Sequence, residues 1–364
     1  MTNPPRSWTT GLGLKTLAIL LLSTLLISCG SSKKFDEFIP SRIISMGDTL
    51  SYMDFSYGAD AVNPLTSIDP ATGKTDHWLT VYAAGYGLTS LGASATGSKN
   101  VIFLNNDTYL QGLASQATGP CPTIAAPYKP ASSQPRCALG TYATVSNQVA
   151  SLPTAQSGDL VVITFGMGDV FEMADTLGNT PATDAKIQEA SDIGLRFINL
   201  ADRVYQLGFK HVLVIPTLDY SSSAHAASKS DTYRANLTKL TQALILGANR
   251  NCNGGCVAGD NKPYPSRSEG VWNPNLSNWI QNVVLFGGSY GYPKANINNG
   301  SGTASSPLCL YPTPLTNAAC NPNNALTDSS GYPFFYSGDL FLTPSLHRIV
   351  GSFVYAYSRG TIGF

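Results

Sequence analysis

Short apolar runs that stop at a glycine or proline constrain this chain more than any other feature. Arg42-Ile-Ile-Ser-Met46 runs into Gly47-Asp48, Asp159-Leu-Val-Val-Ile-Thr-Phe165 into Gly166, and His211-Val-Leu-Val-Ile215 into Pro216. Each is short, rich in β-branched residues and without polar alternation, the pattern of a strand covered on both faces. Parallel strands cannot be joined by a tight turn and need a crossover, usually a helix. Asp184 to Leu207 supplies one, with Ile187, Ala190, Ile193, Leu195, Ile198, Leu200, Ala201 and Val204 at near-helical spacing and Gly208 closing it. The same logic predicts a helix from Asp231 as N-cap through Leu237, Leu240, Leu244 and Ile245 to Asn249. It also predicts a strand over Asn282-Val-Val-Leu-Phe286 and a last helix from Pro344 through Ile349, Val350, Phe353 and Val354. Strand and helix alternate, so the expected class is α/β, a three-layer α/β/α sandwich around a mainly parallel sheet. Ligands in such sheets sit at the carboxyl ends of strands. The turns after Met46, Phe165 and Ile215 and the loop before Pro344 are therefore where chemistry is to be sought.

Charge excludes some partners. Lys+Arg 22 balance Asp+Glu 22, so neither nucleic-acid binding nor an acidic tail is indicated. With 43% hydrophobic residues the chain can bury a core, and Gly 34 and Pro 23 are too few for a low-complexity chain. Residues Met1 to Ser28 have the form of an export signal, Arg6 and Lys15 preceding the apolar run Thr16 to Ile27. Leu26-Ile-Ser-Cys29 resembles a bacterial lipobox, which implies acylation of Cys29 and loss of residues 1–28. Residues 29–40 are then the lipidated cysteine and tether, and 41–364 the folded domain. Each buried CH₂ of an acyl chain contributes ~0.8 kcal/mol, so several chains make a stable anchor. Gly30 follows the cysteine where inner-membrane lipoproteins usually carry Asp, so the outer membrane is the expected location, with the domain facing periplasm or cell surface.

Of seven cysteines, the other six are Cys121, Cys137, Cys252, Cys256, Cys309 and Cys320. An even number suits an oxidising compartment. They form three close couples in Gly/Pro/Asn-rich stretches, and the pairings expected are Cys121 with Cys137, Cys252 with Cys256 and Cys309 with Cys320, stapling loop insertions. Cys252-Asn-Gly-Gly-Cys256 has no second close pair or nearby histidine, so no metal is expected. No dinucleotide or phosphate-loop motif occurs, and no cofactor is expected.

Four stretches, in order, resemble the SGNH or GDSL family of esterases and lipases, in its bacterial secreted and outer-membrane branch. Ile43-Ile-Ser-Met-Gly-Asp-Thr-Leu-Ser51 resembles the strand and G-D-S-L-S block that carries the nucleophile. Val161-Val-Ile-Thr-Phe-Gly-Met-Gly-Asp169 resembles the strand and G-x-N-D block whose Asn is an oxyanion donor. Gly208 to Asp219 resembles the next strand. Leu342-Thr-Pro-Ser-Leu-His-Arg-Ile-Val-Gly351 resembles the stretch that follows the catalytic Asp-x-x-His. The likeness spans roughly Ser41 to Phe364. Some members of the family carry a barrel after this domain. Here lipid is the expected anchor instead.

The family's chemistry needs a serine hydroxyl, a histidine base, an aspartate to orient it and preorganised oxyanion donors. This chain departs at nearly every one. Thr49 stands at the nucleophile position, adding a methyl that restricts χ1. Gly168 stands at the Asn donor, whose loss typically costs ~10² to 10³ in kcat. Phe341 occupies the histidine position and Gly338 that of the aspartate, with Asp339 one residue out of register. The second block falls within Asn100 to Asp107, where Asn105 or Asn106 takes the place of the oxyanion glycine. Gly47, Asp48, Gly166 and Asp169 are retained. His347 matches the family's second, helical histidine and is the candidate substitute base. His225 reads as a solvated loop residue, and His77 and His211 as structural. Asp48 and Asp169 are read as turn-holding carboxylates, and Tyr52, Phe335, Tyr336 and Phe341 are expected near the old active site.

Two functions follow from the resemblance and its departures. One is a catalytically impaired pseudo-hydrolase acting as a binding or structural module at the membrane, since the lost groups act as a unit. The other is an active carboxylic-ester hydrolase on an acyl ester or acetylated glycan, with Thr49 as nucleophile and His347 or His225 as base; the ligand expected in either case is an ester, lipid or glycan.

Overall fold

Strand β1, Arg42–Gly47, lies at the centre of a six-stranded sheet. The computed structural model describes residues 38–51, 53, 77–92, 99–104, 145–223, 226, 229–249, 270–274, 276–285, 342 and 344–362. Its other strands are β2, Leu91–Gly92; β3, Val101–Phe103; β4, Asp159–Phe165; β5, His211–Pro216; and β6, Gly270–Trp272. Their order is β2-β3-β1-β4-β5-β6 and every neighbouring pair is parallel. Ile43, Ile44, Ser45 and Met46 are all fully buried, as are Leu160 to Phe165, so side chains on both faces of these strands are covered. That is why the runs carry no polar alternation. At the amino ends, the Arg42 guanidinium grips both carboxylate oxygens of Asp159 at 2.7 and 2.6 Å. Phe38 stacks on His211 there with ring centroids 3.4 Å apart.

The α-helices among the described residues are α1, Trp78–Ala84; α2, Val145–Gln148; α3, Met167–Leu177; α4, Asp184–Gln206; α5, Asp231–Asn249; α6, Leu276–Leu285; and α7, Pro344–Tyr357. The Thr183 hydroxyl caps α4 by accepting from Lys186 N–H, and Ala190, Ile193, Phe197, Ala201 and Val204 form its buried stripe. α4 and α5 cross closely because Gly194 and Gly247 remove side chains from the contact: a Cβ on Gly194 would overlap Leu244 O, and one on Gly247 would overlap Ser191 O. α1 and α7 meet in the same way at Gly351, where a Cβ would overlap Trp78 O.

Two sequence expectations are corrected. Asn282 to Leu285 belongs to α6, not to a strand. Leu276, Ile280 and Val283 are buried at helical spacing, and the strand slot beside β5 is taken by Gly270–Trp272. A four-residue apolar run has too few positions to declare its period. The cap of α5 is Ser230, whose Oγ accepts from Tyr233 N–H at 3.2 Å; Asp231 is the first helical residue and pairs with Arg234. The signal segment 1–28, Cys29 and the six other cysteines lie outside the described residues, as do Tyr52, Asn105, Asn106, His225, Phe335, Tyr336, Gly338, Asp339 and Phe341.

Candidate functional site at the carboxyl ends of β1 and β4

The strand order reverses at β1, which lies between β3 and β4, and in parallel sheets it is the carboxyl ends of the strands at such a reversal that hold ligands. Gly47 ends β1 with φ 137°, and a Cβ there would overlap Thr164 O of β4, so only glycine lets the two strands stay paired to their last residue. Gln148 of α2 holds it from the other side. The Gln148 side-chain oxygen accepts from Gly47 N–H at 2.7 Å, and its side-chain nitrogen donates to Gly47 O at 2.8 Å.

Asp48 follows, 1% exposed. Its N–H donates to both Thr164 O and Thr164 Oγ1 at 3.1 Å. Its carboxylate accepts from Leu50 N–H on one oxygen and from Met167 N–H on the other, each at 3.1 Å. Burial pushes the carboxyl pKa up, and the hydrogen bonds oppose that rise without cancelling it. Thr49 opens the 3-10 turn Thr49–Ser51, which closes when Ser51 N–H and Oγ donate to Asp48 O.

On the β4 side, Gly166 caps α3 with φ 96°, and Gly168 sits buried in the helix's first turn without a side chain to offer. Asp169 is 2% exposed in the same turn, where the helix dipole favours a negative charge.

Leu50 O joins this turn to α1. It accepts from the Trp78 indole at 2.7 Å and lies 3.0 Å from His77 Nε2. His77 is the N-cap of α1, its Nδ1 accepting from Leu79 N–H at 3.2 Å. His347 Nδ1 accepts from Trp78 N–H at 3.2 Å, and the two imidazoles stack 5.1 Å apart. Burial lowers the His77 pKa to about 3, and burial followed by the neighbouring His77 holds His347 well below the ordinary range.

This geometry decides what the histidines can do. A backbone amide only donates, so Nδ1 is the acceptor in both rings and the proton sits on Nε2. A neutral imidazole has one lone pair with which to take a proton, and here each is already committed to α1. The structure thus brings Gly47, Asp48, the Thr49 backbone, Gly166, Gly168, Asp169 and His347 to one end of the sheet. It leaves His211 at the other end, stacked on Phe38. Gln148, Thr164 and the participation of His77 and Trp78 were not anticipated from sequence. Adjacency of His77 to Trp78 was the one available signal. Compared with protein-family models and with curated proteins, the chain matches none.

Proposed function

We propose that this is a lipid-anchored envelope protein, tethered to the outer membrane through Cys29, whose domain is an SGNH/GDSL-like α/β/α sandwich with an impaired catalytic set. It acts as a binding or structural module for an ester, lipid or glycan ligand. The sandwich rests on handedness: crossovers leaving β1 and β4 in opposite directions along the sheet, if each is right-handed, place α1 and α7 over one face and α4 and α5 over the other. The observation that carries the functional reading is the commitment of both described imidazoles at this end of the sheet. His77 and His347 each give their acceptor nitrogen to an amide of α1, so neither is available as a general base for a hydroxyl at position 49.

The test is hydrolysis of p-nitrophenyl butyrate by the chain from Ser31 onward, beside Thr49→Ala and a no-protein blank. All three rates are expected to be equal. Turnover above the blank that disappears in Thr49→Ala would make the protein an active esterase. For the anchor, metabolic labelling with an alkyne fatty acid is expected to mark the wild-type chain and not Cys29→Ala.

A further inference from the structure

We propose that His77 and His347 form an acid-sensitive latch that fastens the turn Thr49–Ser51 and the start of α1 to α7. The latch goes beyond the binding-module reading and does not depend on it. Each ring accepts an amide hydrogen at Nδ1, from Leu79 and Trp78 respectively, and His77 donates from Nε2 to Leu50 O. A second proton on either ring must go to Nδ1, where it points straight at the amide hydrogen now being accepted. Protonation therefore breaks both connections to the first turn of α1. It also sets two cations one ring-stack apart at a helix N-terminus, the end whose dipole disfavours positive charge. Desolvation acts in the same direction, since both rings are almost wholly buried.

The groups around the pair come from every element packed on it. On the β1 side is Asp48, its carboxylate taken up by the Leu50 and Met167 amides. β3 contributes Phe103, edge-on to His77 at 5.7 Å. α1 contributes the Trp78 indole on Leu50 O, and Tyr82, whose hydroxyl is 3.1 Å from Ser358 Oγ. Arg348, next to His347 in α7, lines a surface groove with Trp279 and Phe353. Burial lowers the His347 pKa most, and the charge that adds to it is that of His77 itself.

The sign follows from linkage. In the opened state each imidazole returns to its ordinary pKa of ~6.5 and takes a proton that the closed state refuses. Opening is thus favoured as pH falls below ~6.5, and the effect saturates near pH 3, where closed His77 itself titrates. Two such sites raise the opening constant at about pH 5 by roughly 10³-fold over its value at about pH 8, and one site by roughly 30-fold.

Amide hydrogen exchange by mass spectrometry on the full chain reads this, with rates corrected for their intrinsic pH dependence. Between pH ~8 and ~5, peptides covering Trp78–Ala84 and the first turns of α7 are expected to lose roughly 10³-fold in protection, while β4 and β5 keep theirs. His347→Phe, which retains an aromatic stack, is expected to reduce the loss to roughly 30-fold. Undiminished protection of Trp78–Ala84 at pH ~5, or equal loss in β4 and β5, overturns the proposal. Ring C2-hydrogen exchange in the wild-type chain gives each histidine's titration midpoint without any variant. Midpoints well below the ordinary imidazole range are required for both rings, and a midpoint near ~6.5 for either overturns the latch.

Discussion

Asp48 Oδ2 accepts the amide hydrogen of Met167, the first residue of α3, at 3.1 Å across 119 residues of sequence. The positive end of α3 therefore already holds a carboxyl oxygen, and it is one supplied by the protein. The same carboxylate shapes the turn after β1 through Leu50 N–H. One side chain thus ties together the carboxyl ends of β1 and β4. Such a bond serves architecture whatever chemistry the turn carries.

Replacing Asp48 with alanine leaves two buried amides without an acceptor, and each such loss costs about 1–3 kcal/mol. Asp48→Ala is expected to lower unfolding free energy by ~2–5 kcal/mol in urea melts, with the m-value unchanged. Asp48→Asn keeps one acceptor oxygen and should fall between wild type and alanine.

Gly47 and Gly87 both have positive φ, 137° and 75°, but differ in surroundings. A Cβ at Gly47 would overlap three Thr164 atoms, whereas at Gly87 nothing lies within 4 Å. Gly87→Ala therefore carries backbone strain alone, ~1–2 kcal/mol. Gly47→Ala adds a clash with a central strand and is expected to exceed ~4 kcal/mol or to abolish soluble expression. Comparing the two denaturation midpoints separates conformational strain from steric exclusion.

These particulars show where sequence was legible. Ile43, Val161 and Val212 sit in runs whose continuity announces burial on both faces, and β1, β4 and β5 emerged from it nearly to the residue. β6 was not legible because three residues, Gly270 to Trp272, carry no period. α1 was missed because its stability is tertiary: a histidine cap, an indole bond to Leu50 and a glycine-mediated contact with α7. At the site, Gly47-Asp48 stood out through local turn chemistry. Its partners did not, since Gln148, Thr164 and Met167 reach it across sequence separations that no window spans.

Gln148 is one such partner. Its amide satisfies both backbone groups of Gly47, which are buried and face away from any ladder partner. Gln148→Leu preserves bulk and removes both bonds, and a cost of ~2–4 kcal/mol is expected. Gln148→Glu retains the acceptor but sets a carboxylate oxygen against Gly47 O. Its destabilisation should diminish as pH falls toward ~4, where the carboxyl regains a donor hydrogen. Urea midpoints at neutral and acid pH check both variants.

Alkaline pH probes the far end of α1. Tyr82 is fully buried, and desolvation, with Tyr86 adding to it, raises its pKa well above 10. The unfolded chain releases this proton near pH ~10 while the folded chain retains it, so stability is intact below ~10 and declines above it. The expected slope from this group is about 1.4 kcal/mol per pH unit, and Tyr82→Phe should reduce it by that amount. A parallel pH dependence in the variant would place the alkaline sensitivity elsewhere.

The crossing of α4 and α5 makes the sharpest packing prediction. Gly194 and Gly247 each place bare Cα against backbone of the other helix, so a single methyl has no flexible side chain to push aside and must move a whole helix. Gly194→Ala and Gly247→Ala gain about 1 kcal/mol each in helix propensity, yet overpacking costs of ~1–3 kcal/mol or more outweigh that gain. Both are expected to destabilise. The two contacts lie one turn apart on the same interface, so the displacement that accommodates one methyl also makes room for the other. The double variant is therefore expected to cost at least ~1 kcal/mol less than the sum of the singles. Strict additivity would mean that each site relaxes on its own, and that the helices do not approach as a rigid pair.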